Sequence, residues 1–229
     1  MTDKSAKGTG RAASPGYLLA QRVLGLICYG FFVLPYVRRI LGLPGLAREH
    51  RIFVCNHVSL LDTILLGGIF WSRRRLPILV LGDAQVWQGT ALRGMLSSKV
   101  GFLIERGKPD RDLIRRLRAF GASHEAFNLI VFPEGTRGDG VHVAECQPGI
   151  YSIAQAAQIP IVPVFISGMQ RVSSKSVSFN PISGLRAITV EFGPEIPPDE
   201  YKALDRAAFS TRIQSALQSL GPYDEATRS

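Results

Sequence analysis

Val54-Cys55-Asn56-His57-Val58-Ser59-Leu60-Leu61-Asp62 is the stretch from which the rest of the chain is best understood. Just before and into it, Ile52, Phe53 and Val54 form a β-branched, apolar run, the pattern of a short buried strand. At its far end, Leu60, Leu61, Ile64, Leu65 and Leu66 recur at helical spacing. Between the two, Ser59 stands three residues before Asp62. A serine there caps free backbone N–H groups, and an acid in the first turn suits the positive end of a helix. The pattern predicts a strand, a corner and a helix, with His57 on the corner. On one straight helix His57 and Asp62 would point about 140° apart. With His57 ahead of the helix, its ring folds back and the Asp62 carboxylate accepts a hydrogen bond from one ring nitrogen. That bond fixes the tautomer and makes the other nitrogen the base, with the choice of nitrogen left open. A His–Asp pair with no serine suits removal of a proton from a hydroxyl that arrives with the substrate. Taken alone, the same residues also fit a capped helix beside an ordinary surface imidazole, so the remaining stretches carry the weight.

Working outward, apolar strand-like runs alternate with helical patterns. Ile52–Cys55, Ile78–Leu81, Gly101–Ile104, Leu129–Phe132, Ile161–Ile166 and Ile188–Phe192 read as strands. Ser59–Phe70, Asp110–Phe127 and Gly149–Gln158 read as helices, and a last helix is expected from about Asp199 to Leu220. Continuous apolar strands separated by helices predict an α/β fold: a largely parallel mixed sheet flanked by helices. Leu113, Ile114, Leu117 and Phe120 share one face of the Asp110–Phe127 pattern, and its arginines cover the other as a solvated basic face.

The N-terminal part is different. Residues 1–16 are small, polar and basic, the composition of a disordered tail. Residues 17–45 hold the most apolar segment. Its uncharged part, Val23 to Val37, runs for 15 residues, short of the ~20 that span a bilayer as a helix. Arg38 and Arg39 close it, and Tyr29, Phe31, Phe32 and Tyr36 suit an interface. It reads as a membrane-associated helical segment with the arginines at headgroup level, against the rivals of an uncleaved signal anchor and an ordinary buried helix. Residues 46–222 then form one domain.

Composition points the same way. Of 229 residues, 46% are hydrophobic, and the mean hydropathy of +0.13 is high for a freely soluble enzyme. The net charge is +9, from 27 Lys and Arg against 18 Asp and Glu, which favours an anionic partner. Cys28, Cys55 and Cys146 are scattered, with neither metal spacing nor a disulfide framework, as on the cytoplasmic side.

Two further stretches carry chemistry. Leu129-Ile130-Val131-Phe132 runs into Pro133-Glu134-Gly135-Thr136-Arg137-Gly138, a strand ending in a Gly- and Pro-rich turn, where open α/β sheets place ligands. Arg137 offers a planar fork of donors suited to phosphate, Gly135 allows close approach, and Glu134 pairs with Arg137 or holds a neighbouring loop. Gly101-Phe102-Leu103-Ile104-Glu105-Arg106 repeats the logic, so Arg106 and Arg137 can converge on one phosphate near His57. Ile161-Val162-Pro163-Val164 is an apolar strand whose proline implies an edge or a bulge, and it is expected to line an apolar groove.

In this order, Asn56-His57-x4-Asp62, Gly101 to Arg106, Phe132 to Arg137 and Ile161 to Val164 resemble the glycerolipid acyltransferase family, most nearly its bacterial 1-acylglycerol-3-phosphate (lysophosphatidic acid) acyltransferases. The resemblance covers roughly residues 45 to 195. It implies an acyltransferase domain at 46–222, bound to the membrane on the cytoplasmic face of the inner membrane. It implies acyl transfer from acyl-CoA or acyl carrier protein to the free hydroxyl of a lysophospholipid acceptor. His57 is then the general base, Asp62 its orienting partner, and Arg106, Glu134, Gly135, Thr136 and Arg137 the acceptor-binding residues. No metal or cofactor and no nucleic acid is expected, and membrane lipids are expected partners. Leu103 stands where Phe is common, Glu105 where Asp is common, and the segment Leu81 to Lys99 lacks the usual lysine-bearing pattern. These departures bear on the identity of the acceptor.

A thioester is already activated, so the expected mechanism needs no acyl-enzyme. The helix N-terminus at Ser59–Leu61 is the candidate oxyanion donor. Rival chemistries are a Cys55 nucleophile and a metal held by His57, Asp62 and Glu134. Rival functions are acyl transfer to another lysolipid such as lyso-ornithine lipid, a non-catalytic membrane-binding protein, and nucleic-acid binding. The paired base argues against the second, and the lack of any recognisable module argues against the third.

Overall fold

The computed structural model describes residues 15–45, 49–73, 78–83, 101–104, 114–115, 118, 126–177 and 179–221. Helix α1 (Pro15–Cys28) passes through a π-helical turn (Tyr29–Val33) into the short α2 (Leu34–Tyr36). Then follow β1 (Val37–Leu41), β2 (Arg51–Cys55), α3 (Leu61–Arg73), β3 (Ile78–Asp83), β4 (Gly101–Ile104) and β5 (Asn128–Val131). The chain continues through α4 (Pro148–Ala157), β6 (Ile161–Ser167), α5 (Met169–Val172), β7 (Ile188–Phe192), α6 (Pro198–Tyr201) and α7 (Arg206–Gln218).

The seven strands form one sheet in the order β1-β7-β6-β2-β5-β3-β4. Every described pairing is parallel except β6 with β7, so β1 and β7 run against the other five. This is the largely parallel mixed sheet that the sequence predicts. All five residues of β2 and all seven of β6 are buried, because helices cover both faces. Along β2 the side chains alternate. Ile52 and Val54 join the core with Ile150 and Ile153 of α4 and Phe209 and Ile213 of α7. Phe53 and Cys55 join the opposite core with Leu65 and Ile69 of α3.

The N-terminal segment is helical only to Tyr36. Residues 37–41, expected inside the membrane-associated helical segment, instead form β1, paired in parallel with β7. Val37 is buried while Arg38 and Arg39 are exposed, so the arginines that looked like the end of an anchor belong to an edge strand. Helix α1 packs on α3 through small residues. A Cβ on Gly25 would lie 2.1 Å from the Trp71 Cβ, and one on Gly68 would lie 2.8 Å from Val33 Cγ2. Gln21 seats the helix further by donating to the Ile78 carbonyl (3.1 Å). The other side of the same run is apolar and exposed, with Leu19, Val23, Leu26, Ile27, Phe31 and Leu34 outward. Among the described residues, no helix is long and apolar enough to cross a membrane.

Three other expectations need adjusting. The final helix is broken: α6 ends at Tyr201, whose hydroxyl donates to the Ile159 carbonyl (2.7 Å), and α7 starts afresh where Asp205 caps the Ala208 N–H (2.8 Å). Of the Asp110–Phe127 pattern, Ile114, Arg115 and Arg118 are helical, Ala126 and Phe127 are not, and the remainder lies outside the described residues, as do residues 1–14. Pro163 sits in central strand β6, paired with Val54. A strand residue's N–H and C=O point to one side, and the Pro163 carbonyl accepts from Gly193, just beyond the end of β7. Its missing N–H therefore faces a point where the ladder has stopped, and the strand is core rather than the wall of a groove.

Candidate active site

Strands β6, β2 and β5 are neighbours and run parallel, with Val54 opposite both Val131 and Pro163; β2 and β5 end within one residue of each other, and β6 runs on to Ser167. The loops leaving their carboxyl ends therefore meet at one edge of the sheet, the usual place for a ligand in such a fold. His57 lies two residues past β2. Asn56, between them, is buried, and its amide bridges to β6: Nδ2 donates to the Ile166 carbonyl (3.1 Å) and Oδ1 accepts from the Ile166 N–H (2.7 Å). A side chain thus continues the ladder by one rung and fixes where the histidine begins.

The helix start then orients the ring. Asp62 Oδ2 accepts from the backbone N–H of Val58 (2.7 Å) and Ser59 (2.8 Å), a carboxylate reaching back over the first turn. The same oxygen lies 2.9 Å from His57 Nδ1. An oxygen that already accepts from two amides takes the ring nitrogen as a third donor, so Nδ1 carries the proton and Nε2 keeps the lone pair. Asp62 is fully buried and the His57 side chain 14% exposed. Phe132, at the end of β5, stacks on the imidazole with centroids 4.3 Å apart and planes 28° apart.

The loop after β5 braces His57 from behind. Glu134 Oε1 accepts from the His57 N–H (2.9 Å) and Oε2 from the Ala144 N–H (3.1 Å). The His57 carbonyl accepts from Gly138 N–H (2.7 Å). Of the two tasks the sequence allows Glu134, it takes the second: it holds neighbouring backbone and makes no pair with Arg137. Burial pushes its pKa above the ordinary carboxylate range, and the bonds from His57 and Ala144 pull it part of the way back. Gly135 turns the loop at φ +64, where a Cβ would also meet the Gln147 side chain at 2.8 Å.

The remaining candidates sort clearly. Thr136 is exposed and accepts from Lys175 Nζ (3.1 Å), and Arg137 is half-buried. Arg106 lies outside the described residues. Strand β4 nevertheless runs parallel to β3, Ile104 opposite Asp83, and so ends at the same edge. The helix N-terminus is a poorer oxyanion site than expected, because Asp62 already takes the Ser59 N–H and Ser59 Oγ the Leu61 N–H (3.2 Å). Cys55 faces the α3 core. Burial, then the charge of Asp62, raises its thiol well above its usual pKa, the opposite of an activated nucleophile. Among the described residues, no three His, Cys, Asp or Glu side chains converge as a metal site. Asn56 and Phe132 were not assigned a role from sequence. Their signal is adjacency alone, each flanking a residue that was.

Known proteins agree with this architecture. The acyltransferase family model matches residues 39–167, more than half of the chain. A lyso-ornithine lipid O-acyltransferase from Pseudomonas aeruginosa is 34% identical over 58% of this chain and 48% of its own. A 1-acyl-sn-glycerol-3-phosphate acyltransferase from Cocos nucifera is 28% identical over 66% of this chain and 47% of its own. The chain thus spans about half the length of these curated relatives. The crystal structure of the 1-acyl-sn-glycerophosphate acyltransferase PlsC from Thermotoga maritima superimposes with a TM-score of 0.63 at 18% identity, over 88% of this chain and 77% of that one, a likeness of fold. With its sheet, its His57 corner and its family match together, this chain belongs to the acyltransferase family.

Proposed function

We propose that the protein is a membrane-associated O-acyltransferase that moves a fatty acyl group from acyl-CoA or acyl carrier protein to the free hydroxyl of 1-acylglycerol 3-phosphate, making phosphatidic acid. The observation that carries this reading is the His57 corner: Nδ1 held on buried Asp62, the backbone braced by Glu134 and Gly138, and Nε2 left to take a proton. The acceptor hydroxyl gives its proton to Nε2 as its oxygen bonds to the thioester carbonyl carbon. The tetrahedral intermediate collapses, the C–S bond breaks, and the departing thiolate takes the proton back from the imidazolium. Asp62 steadies the imidazolium, and Arg137, with Arg106, would hold the acceptor phosphate. The exposed apolar side of α1 and the net charge of +9 support a place at an anionic bilayer surface, on the cytoplasmic face of the inner membrane.

The test is release of free thiol from acyl-CoA by the protein in vesicles, with and without lysophosphatidic acid. Release that requires the acceptor is expected, and His57→Ala should lower it by ~10²–10⁴-fold. Turnover within a few fold of wild type in that variant would remove His57 as the base. A second acceptor, lyso-ornithine lipid, is favoured by the Pseudomonas aeruginosa relative, and competition between the two lysolipids separates the readings.

A further inference from the structure

We propose that Lys175 is a headgroup-binding residue, forming with Arg137 a two-cation seat for an acceptor that carries a phosphate. This rests on the reading above that the acceptor is a lysolipid, and it goes further by naming a residue that selects the headgroup. Lys175 lies in the loop after β6 and α5, and its ammonium donates to Thr136 Oγ1 across 39 residues of sequence (3.1 Å). Thr136 adjoins Arg137 in the loop that braces His57 at Glu134 and Gly138. An ammonium has three donors, so one bond to a hydroxyl leaves two for a ligand.

Charge separates this lysine from the other described one. Lys202 forms an ion pair with Asp199 on the outer surface. Among the described residues, neither Lys175 nor Arg137 has a carboxylate within ion-pairing distance. Two cations on adjoining loops, with no counter-ion among the described residues, make a site for a dianion.

The lysine is also presented by ordered backbone. The Ser174 N–H donates to the Val177 carbonyl (3.0 Å), and Ser174 Oγ accepts from the N–H groups of Ser176 (3.3 Å) and Val177 (3.1 Å), closing a tight turn around Lys175. The chain then leans on the N-terminal helical run. Phe179 meets Tyr36 edge-on at 6.1 Å, and Arg186 donates to the Val37 carbonyl (2.8 Å). Between these two points Ile182 is 80% exposed. An exposed apolar residue in the same loop as the lysine suits an acceptor whose chain stays in lipid while its headgroup reaches the turn.

A phosphate and an ornithine headgroup differ in charge. The first is dianionic. The second is zwitterionic, its carboxylate offset by an ammonium, so two cations hold it less well than they hold the dianion. The experiment is calorimetric titration of the full-length chain in neutral detergent with lysophosphatidic acid and with 1-acylglycerol, which lacks the phosphate. Wild type should bind the phosphorylated ligand more tightly. Lys175→Gln should weaken it by about 5–10-fold, with Lys175→Arg restoring most of the loss and 1-acylglycerol unaffected. In turnover the loss should fall on KM for lysophosphatidic acid, with kcat within about 2-fold, and should shrink as ionic strength rises. Equal binding of the two ligands by wild type, or unchanged binding by Lys175→Gln, would overturn the seat. Lys175-dependent binding without any thiol release would leave the seat standing and sink the transfer reading instead.

Discussion

Among the described residues, two His–Asp pairs share the same Nδ1–Oδ2 distance of 2.9 Å, and they are built for different ends. His57 and Asp62 lie at the carboxyl edge of the sheet, 14% and 0% exposed. His142 and Asp139 lie on a surface loop, 80% and 57% exposed. Asp139 divides its load: Oδ1 takes the N–H groups of Val141 and His142 (both 2.8 Å) and Oδ2 takes the ring. Asp62 puts two amides and the ring on Oδ2, while its Oδ1 is buried with no hydrogen-bond partner among the described residues. A buried acceptor without a partner is costly, and native proteins keep such groups mostly where they serve a function. Distance alone does not distinguish the pairs. Burial, the brace behind the histidine and the stacked Phe132 do.

Removing the charge from each aspartate breaks the comparison most directly. Asp62→Asn keeps an oxygen for the backbone donors but loses the carboxylate facing the ring. Turnover should fall by about 10²-fold with KM little changed, since binding residues are untouched. Asp139→Asn should leave turnover within about 2-fold. Equal losses in the two variants would show that the pairs are not functionally distinct.

A smaller effect is expected behind the histidine. In Glu134→Gln one of the two backbone donors, from His57 or Ala144, must face an NH₂ group instead of an oxygen. Denaturant unfolding should report a loss of about 1–3 kcal/mol, with reduced kcat as His57 loosens. The sign with pH follows from the raised pKa of Glu134. Its contribution is full below the ordinary carboxylate value of 4.5 and is lost as pH rises through the folded-state value. The stability gap between wild type and variant should therefore be wider near pH 4.5 than at pH 7. A gap that widens on raising the pH would mean that the brace is not desolvated as the structure has it.

The two pairs also differ in how visible they are in sequence. The His57–Asp62 pair is local: five residues, a strand signal before and a helix signal after, so its geometry followed from element boundaries. Strands β2 to β7 were legible for a similar reason, since burial on both faces in the centre of the sheet leaves unbroken apolar runs such as Ile52-Phe53-Val54. Strand β1 was hidden because Arg38 and Arg39 cut its apolar pattern and an apolar helix precedes it without a break. The gap between α6 and α7 was missed although Asp205 is a good capping residue, because apolar residues continue on both sides. Contacts that close across the fold left no local trace. Glu134 reaches His57 over 77 residues and Lys175 reaches Thr136 over 39, and no periodicity links either pair.

The smallest effect belongs to the exposed pair and marks the lower bound of the comparison. The pKa of Asp139 is lowered to about 2, first by the side-chain bond to His142 and then by the backbone N–H groups of His142 and Val141. A depressed carboxylate stabilises the fold above its ordinary value near 3.8, and that contribution fades as pH falls through about 2. The group is almost wholly solvent-screened, so His142→Ala should cost no more than ~0.5 kcal/mol at pH 7, shrinking between about pH 4 and 2. The two backbone bonds remain in the variant and hold Asp139 part of the way down. Thermal unfolding at pH 7, 4 and 3 reads the difference, and thiol release reads turnover, expected to be unchanged. A loss of activity like that of Asp62→Asn would mean that the loop at 139–142 enters the reaction, and the contrast drawn from burial would fail.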